Sequence, residues 1–120
     1  MGQAKPPERR VNHAINFSLT IGAYEAQFAA LAAALAHHRG PLIFAGDFNS
    51  WNDARRDAMK ATASKLGLAE TTFTDDRRAL FLGRQLDHIL VRGLDVVEVA
   101  AIPVKSSDHN PLVATLRARN

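Results

Sequence analysis

Three apolar runs in this chain each meet a carboxylate. LIFA at 42–45 leads into Gly46, Asp47, Phe48 and Asn49. LDHILV at 86–91 holds Asp87 and His88 inside the run, and SSDHNPL at 106–112 sets Asp108 and His109 before a last apolar stretch. A carboxylate beside Leu or Val is costly to bury unless it is paired, hydrogen-bonded or bound to a metal. One such Asp reads equally well as a turn residue or helix cap. Three of them, the third an Asp-His pair, point to a metal or acid–base site built where strands give way to loops.

Around these runs the pattern alternates strands with two helices and then turns mainly to strands. Residues 11–18 suggest a strand with imperfect alternation, because Asn12, His13 and Asn16 interrupt it. Residues 18–22 turn, with Thr20 as a cap for a helix over 23–38. Tyr24, Phe28, Leu31 and Leu35 give that helix one apolar stripe, and Gly40 and Pro41 stop it. A second helix is predicted over 53–66, capped by Ser50 or by the competing Asn52 and ended by Gly67. Its buried side is read as Ala54, Ala58, Ala61 and either Met59 or Leu66. Arg55, Arg56, Lys60 and Lys65 are read as more exposed. Residues 68–73 suggest a short strand, and 74–85 a polar, basic loop in which residues 80–82 make a docking contact. Strands follow at 86–91, 94–104 and 111–117. Two helices on one side of a mostly antiparallel or mixed sheet form an α/β unit, with residues 1–10 as a flexible tail.

Composition narrows the alternatives. The chain has 120 residues, room for one ordinary domain, and 47% are hydrophobic, which excludes a disordered polymer. The absence of cysteine excludes disulfides and thiolate metal sites. No run is long and apolar enough for a membrane span, the polar start is not a signal peptide, and the default location is cytoplasmic. Fifteen Lys and Arg against 12 Asp and Glu leave a net charge of +3, which permits an anionic partner without specifying one.

GDFN at 46–49, LDHILV at 86–91 and SSDHNPL at 106–112, in this order, resemble the C-terminal signatures of the endonuclease/exonuclease/phosphatase superfamily. HAINFS at 13–18 resembles the strand bearing the first catalytic histidine of that family. The stretch from GDFNSW through FLGR and LDHILVRG most resembles an uncharacterised bacterial branch. The resemblance covers residue 11 to the end and implies an α/β fold, half of a four-layer sandwich with two helices on one face of a sheet.

It also implies roles. Asp47 would bind or orient the attacking water near the metal. Asn49 would hydrogen-bond a phosphoryl oxygen. Asp108 would be a metal ligand, directly or from the outer shell. His109 would stand against the phosphate as general base or charge-stabilising donor, and Asp87 would fix its tautomer. His13 would meet the phosphate from the other side. Oxygen ligands of this kind suit Mg²⁺ or Mn²⁺. Trp51 either packs under its loop, the favoured reading, or stacks on a base. Arg84, with Arg77 and Arg78, either contacts phosphate or is an ordinary solvated residue. By alternation His88 faces away from Asp87 and is structural, and His37 and His38 suit a helix C-terminus.

The family's early Asn and its central Glu metal ligand have no counterpart here. Neither Glu8, in a proline-containing tail, nor Glu25, on a helix facing away, replaces that Glu. The expected activity is metal-dependent hydrolysis of a phosphate-containing substrate, possibly DNA, weak or absent in this chain. The alternative is a non-catalytic nucleic-acid or anion-binding fragment. An inner sheet face of Val11, Ile15, Ile43, Ala45, Ile89, Val91, Val97, Val99, Val113 and Leu116 is expected to be exposed. A homodimer or a missing N-terminal half would cover it.

Overall fold

A computed structural model describes residues 9–12 and 20–119. His13, Ile15 and Asn16, and all but the last two residues of the expected tail, lie outside them. The first strand, β1 (Arg9–Asn12), is followed by helix α1 (Ile21–Leu35), β2 (Leu42–Asp47), α2 (Asp53–Leu66), β3 (Ala69–Glu70), β4 (Leu80–Phe81), β5 (Arg84–Gln85), β6 (Asp87–Arg92), β7 (Leu94–Ala101) and β8 (Leu112–Ala118). A four-stranded mixed sheet runs β1-β2-β6-β3, with β1 parallel to β2 and the other pairs antiparallel. The parallel pair needs a crossover, and α1 supplies it. β4–β5 and β7–β8 are separate hairpins.

Both helices pack on one face of the sheet. The core joins Tyr24, Phe28, Ala32 and Leu35 of α1 and Met59, Ala63 and Leu66 of α2 to Leu42, Phe44, Phe48 and Leu90. Strand alternation therefore sends Ile43, Ala45 and Asp47 of β2, and Asp87, Ile89 and Val91 of β6, to the face away from the helices. Among the described residues no helix is long and apolar enough to cross a membrane.

The helix ends follow ordinary capping chemistry. Thr20 Oγ1 accepts from the Ala23 amide at 3.2 Å, as the sequence predicts. For α2 the cap is Asn52, whose Oδ1 accepts from the Arg55 amide at 2.8 Å; Ser50 is buried and engaged elsewhere. Gly67 adopts φ +72° and closes α2 by donating its N–H to Ala63 and Ser64 carbonyls. Arg92 fastens the far ends of both helical segments, donating to Leu66 O at 2.6 Å and to His38 O and Gly40 O at 2.9 Å.

Several expectations need correction. α1 ends at Leu35, and His38 lies in the following turn, its Nε2 3.0 Å from Pro41 O. Arg55 is buried rather than exposed, and Ala54 and Ala61 are exposed rather than buried; α2 buries Arg55, Met59, Ala63 and Leu66. Its inward face is thus rotated one residue by the demand for Arg55 under the 46–51 loop. The stretch at 74–85 contains the β4–β5 hairpin, with Leu80 and Leu82 exposed. The face opposite the helices is not uniformly open: Ile89 and Val91 are buried within this chain, Ile43 and Ala45 are half-buried, and Val97 and Val113 are exposed.

Candidate metal and catalytic site

The site begins where β2 and β6 pair. Asp47 and Asp87 are register partners, the last residue of one strand opposite the first of the other. Gly46, just before, takes φ +147°, a conformation L side chains rarely adopt, while the pairing with β6 continues through Asp47. Asp47 Oδ1 accepts from the Asn49 amide at 2.9 Å, an Asx turn that holds Asn49 at φ +47°. Between them Phe48 is fully buried. Its ring meets Phe44 and Phe28 edge-on, and its carbonyl accepts from the Tyr24 hydroxyl at 2.6 Å. Burial pushes that phenol well above its ordinary pKa, so it remains a donor.

His109 comes from the loop between β7 and β8. Its Nδ1 lies 2.7 Å from Asp87 Oδ2 and its Nε2 lies 3.7 Å from Asp47 Oδ2. Asp87 is the most enclosed of the three, and His109 the most open. The hydrogen bond to Asp87 holds the His109 imidazolium above its usual pKa, against a smaller opposing effect of burial. Burial drives the Asp87 carboxyl up by more than the His109 bond lowers it, and the neighbouring Asp47 adds to the rise. A short charge-assisted bond to a carboxylate stabilises the charged form of the open His109 ring. A cavity of about 530 Å³ opens here, floored by Ile43, Ala45, Ile89 and Leu112 and bordered by Asp47, Asp87 and His109.

Asp47, Asp87 and His109 each offer a ligand atom, all within 4.8 Å of one another. Two carboxylates and an imidazole fit a hard or borderline divalent ion and do not fit a soft one. Asp108, though next to His109, is exposed and stands outside this cluster.

Behind the site a buried polar chain ties the loop to the sheet. Arg78 donates from Nη1 to Asp87 O at 3.1 Å and to His88 Nδ1 at 3.2 Å. This fixes the proton of His88 on Nε2, which donates to Ser50 Oγ at 2.8 Å, and Ser50 donates to Gln85 O at 3.0 Å. Glu70 Oε1, 3.5 Å from the same Nδ1, is too far to displace the guanidinium. The His88 ring also stacks on Phe48, and burial lowers its pKa to about 4, so it is neutral at pH 7. His88 thus faces the helices, as alternation requires.

The other candidates are placed as follows. His13 lies outside the described residues. Trp51 is half-buried beneath Arg55, whose guanidinium carbon sits 4.8 Å from the indole centroid and 4.7 Å from that of Tyr24. Arg84 pairs with Asp53 at 2.5 Å. Arg77 pairs with Asp75 at 2.8 Å. Arg78, Ser50 and Asn110 support the site in roles that the sequence did not assign to them. Nothing in the spacing separates Arg78 from Arg77, and only the fold brings Arg78 to Asp87.

Residues 6–109 match the endonuclease/exonuclease/phosphatase family. The chain is 46% identical over 101 residues to a UPF0294 protein of Erwinia tasmaniensis, an overlap covering 84% of this chain and 38% of that one. It is also similar in fold to a functionally unknown conserved protein from Enterococcus faecalis V583, with a TM-score of 0.64 and 19% identity over 92% of this chain and 50% of that one. This chain therefore spans no more than about half the length of these relatives. With the family matched over most of its residues, the chain belongs to the endonuclease/exonuclease/phosphatase family.

Proposed function

We propose that this site binds Mg²⁺ or Mn²⁺ and serves metal-dependent hydrolysis of a phosphoester, with a nucleic-acid phosphodiester as the leading substrate class. The observation behind the reading is the opposition of Asp47 and Asp87 with His109 against both. Like charges set directly across a strand pair are unfavourable unless a cation or proton lies between them. A bound divalent ion would supply charge neutralisation at the phosphoryl group.

The chain's own groups do the rest. Asp87 holds His109 by Nδ1, so that Nε2 is the atom presented beside Asp47 and the cavity. His109 thereby stands against the phosphate, as general base or as charge-stabilising donor, while the two carboxylates face the ion. Asp47 orients the attacking water, and Asn49 donates to a second phosphoryl oxygen. His13 is assigned to the opposite side of the phosphate, and Asp108 to an outer metal contact, from the family resemblance. Arg84 and Trp51 are offered for the substrate rim on their own chemistry, a cation for phosphate and an indole for a base.

We read the chain as the C-terminal part of the family's domain, which fits its share of the relatives' length. The N-terminal part would bring the Glu ligand and cover the open residues of the sheet face, a role a second copy could share. Turnover by this chain alone is accordingly expected to be slow. The test is release of p-nitrophenol from bis-p-nitrophenyl phosphate, and cleavage of a fluorescent DNA duplex, with Mg²⁺ or Mn²⁺. Slow, chelator-sensitive turnover that disappears in His109→Ala supports the reading. Turnover equal in the variant, or none in either protein, contradicts it for this chain.

A further inference from the structure

We propose that Asn110 is a positioning residue for the Asp87–His109 pair, working through the Arg77–Arg78 segment; its catalytic consequence rests on the phosphoester reading above. His109 stands on an irregular loop at 102–111, and the ring itself is among the more open parts of the site. Besides its half-buried bond to Asp87, the loop has contacts of its own, His109 N–H to Ser107 Oγ at 3.2 Å and Ile102 N–H to Pro111 O at 2.9 Å, and neither reaches the segment that holds Asp87. The Asn110 amide supplies two further bonds. Its Oδ1 accepts from the Val104 amide at 3.1 Å, closing the loop on itself. Its Nδ2 donates to Arg77 O at 2.6 Å, docking the loop to the segment before β4.

The docking point matters because the next residue is Arg78. The Arg78 guanidinium donates to Asp87 O and to His88 Nδ1. It is itself held by Asp76 at 2.6 Å and lies over the Phe73 ring, its central carbon 4.4 Å from the centroid. Both partners of the Asp87–His109 bond are thus referred to the same two residues, Asp87 through the Arg78 side chain and His109 through Asn110 and the Arg77 carbonyl. The bracket sets the distance between strand β6 and the loop independently of the bond it aligns. Asparagine suits the position because the two contacts require one acceptor and one donor on the same short side chain. Aspartate keeps the first and lacks the second. A phosphate-facing imidazole that drifts by about 1 Å loses rate out of proportion to the displacement.

The experiment uses Asn110→Ala and Asn110→Asp and two readouts. In metal-free protein at one fixed pH, the His109 Nδ1 proton bonded to Asp87 should give a downfield resonance, assigned by its loss in His109→Ala. Both Asn110 variants are expected to broaden or lose it while the melting transition and the rest of the spectrum keep the folded pattern. In the hydrolysis assay both should lower kcat by about tenfold or more with KM little changed, and Asn110→Ala should add nothing in a His109→Ala background. Should Asn110→Ala fold poorly, Asn110→Asp carries the same test, since it retains the Val104 contact. An unaltered resonance in a folded Asn110→Asp variant overturns the proposal. If the wild type shows the resonance, the variants lose it and no protein turns over, the bracket stands and the hydrolase reading fails.

Discussion

Asp47 and Asp87 are cross-strand partners, and the ring of His109 reaches both, at 3.7 Å and 2.7 Å. The arrangement is asymmetric. Asp87 is nearly enclosed and shares a short bond with Nδ1, whereas Asp47 is more open and already engaged by the Asn49 amide. Removing Asp87 loses the short charge-assisted bond to His109, so Asp87→Ala should cost about 1–3 kcal/mol in metal-free protein. Asp47→Asn relieves like-charge repulsion and should change stability by less than about 1 kcal/mol. Urea unfolding of both variants checks this, and equal losses would argue against the asymmetry.

His88 sets an acid limit on the fold. Its pKa falls from an ordinary 6.5 to about 4 because burial penalises the charged ring. Between those values the unfolded chain binds the proton and the folded chain does not, so stability declines as pH drops from about 6.5 towards 4. The full contribution is at most about 3 kcal/mol. Unfolding at a series of pH values should show this slope in the wild type and a flatter one in His88→Gln. Parallel slopes would mean that His88 charges freely in the folded state.

Arg55 is a buried cation whose guanidinium lies against two aromatic rings, and its Nη1 lies 3.4 Å from Asn49 O. Arg55→Ala removes both the packing and the support under the loop carrying Asp47. A loss of about 2–3 kcal/mol is expected from thermal or urea unfolding. A change under about 0.5 kcal/mol would place the side chain in solvent instead.

Tyr24→Phe isolates one bond. The ring and its contacts remain, while the 2.6 Å bond to Phe48 O is lost and a buried carbonyl is left with less satisfaction. The expected cost is about 1–2 kcal/mol. Amide exchange should quicken first at 47–50. Exchange that quickens evenly along the chain would show that this bond does not anchor the loop.

Much of this architecture is legible in the sequence because it follows from periodicity and local chemistry. The spacing of Tyr24, Phe28 and Leu35 gave α1 its buried face, Gly67 ended α2 where predicted, and alternation put His88 on the face opposite Asp87. What escaped depends on contacts distant in sequence. Arg55 looks like a surface residue until Trp51 and Tyr24 converge on it, and Ser50 looks like a cap until His88 takes its hydroxyl. The bond between Asn110 and Arg77 spans 33 residues and joins two polar loops, where no repeat or period exists to read. The two-residue strands β4 and β5 are too short to leave a periodic signal.

The central claim is that Asp47, Asp87 and His109 form a divalent-cation site. Its most direct test is titration of Mn²⁺ into the protein, followed by the paramagnetic signal of the free ion, with Asp47→Asn as the comparison. One ion bound per chain, with affinity reduced at least about tenfold in the variant, is the result the account predicts, because a carboxylate ligand is lost. No binding at millimolar Mn²⁺, or equal binding by both proteins, would contradict it.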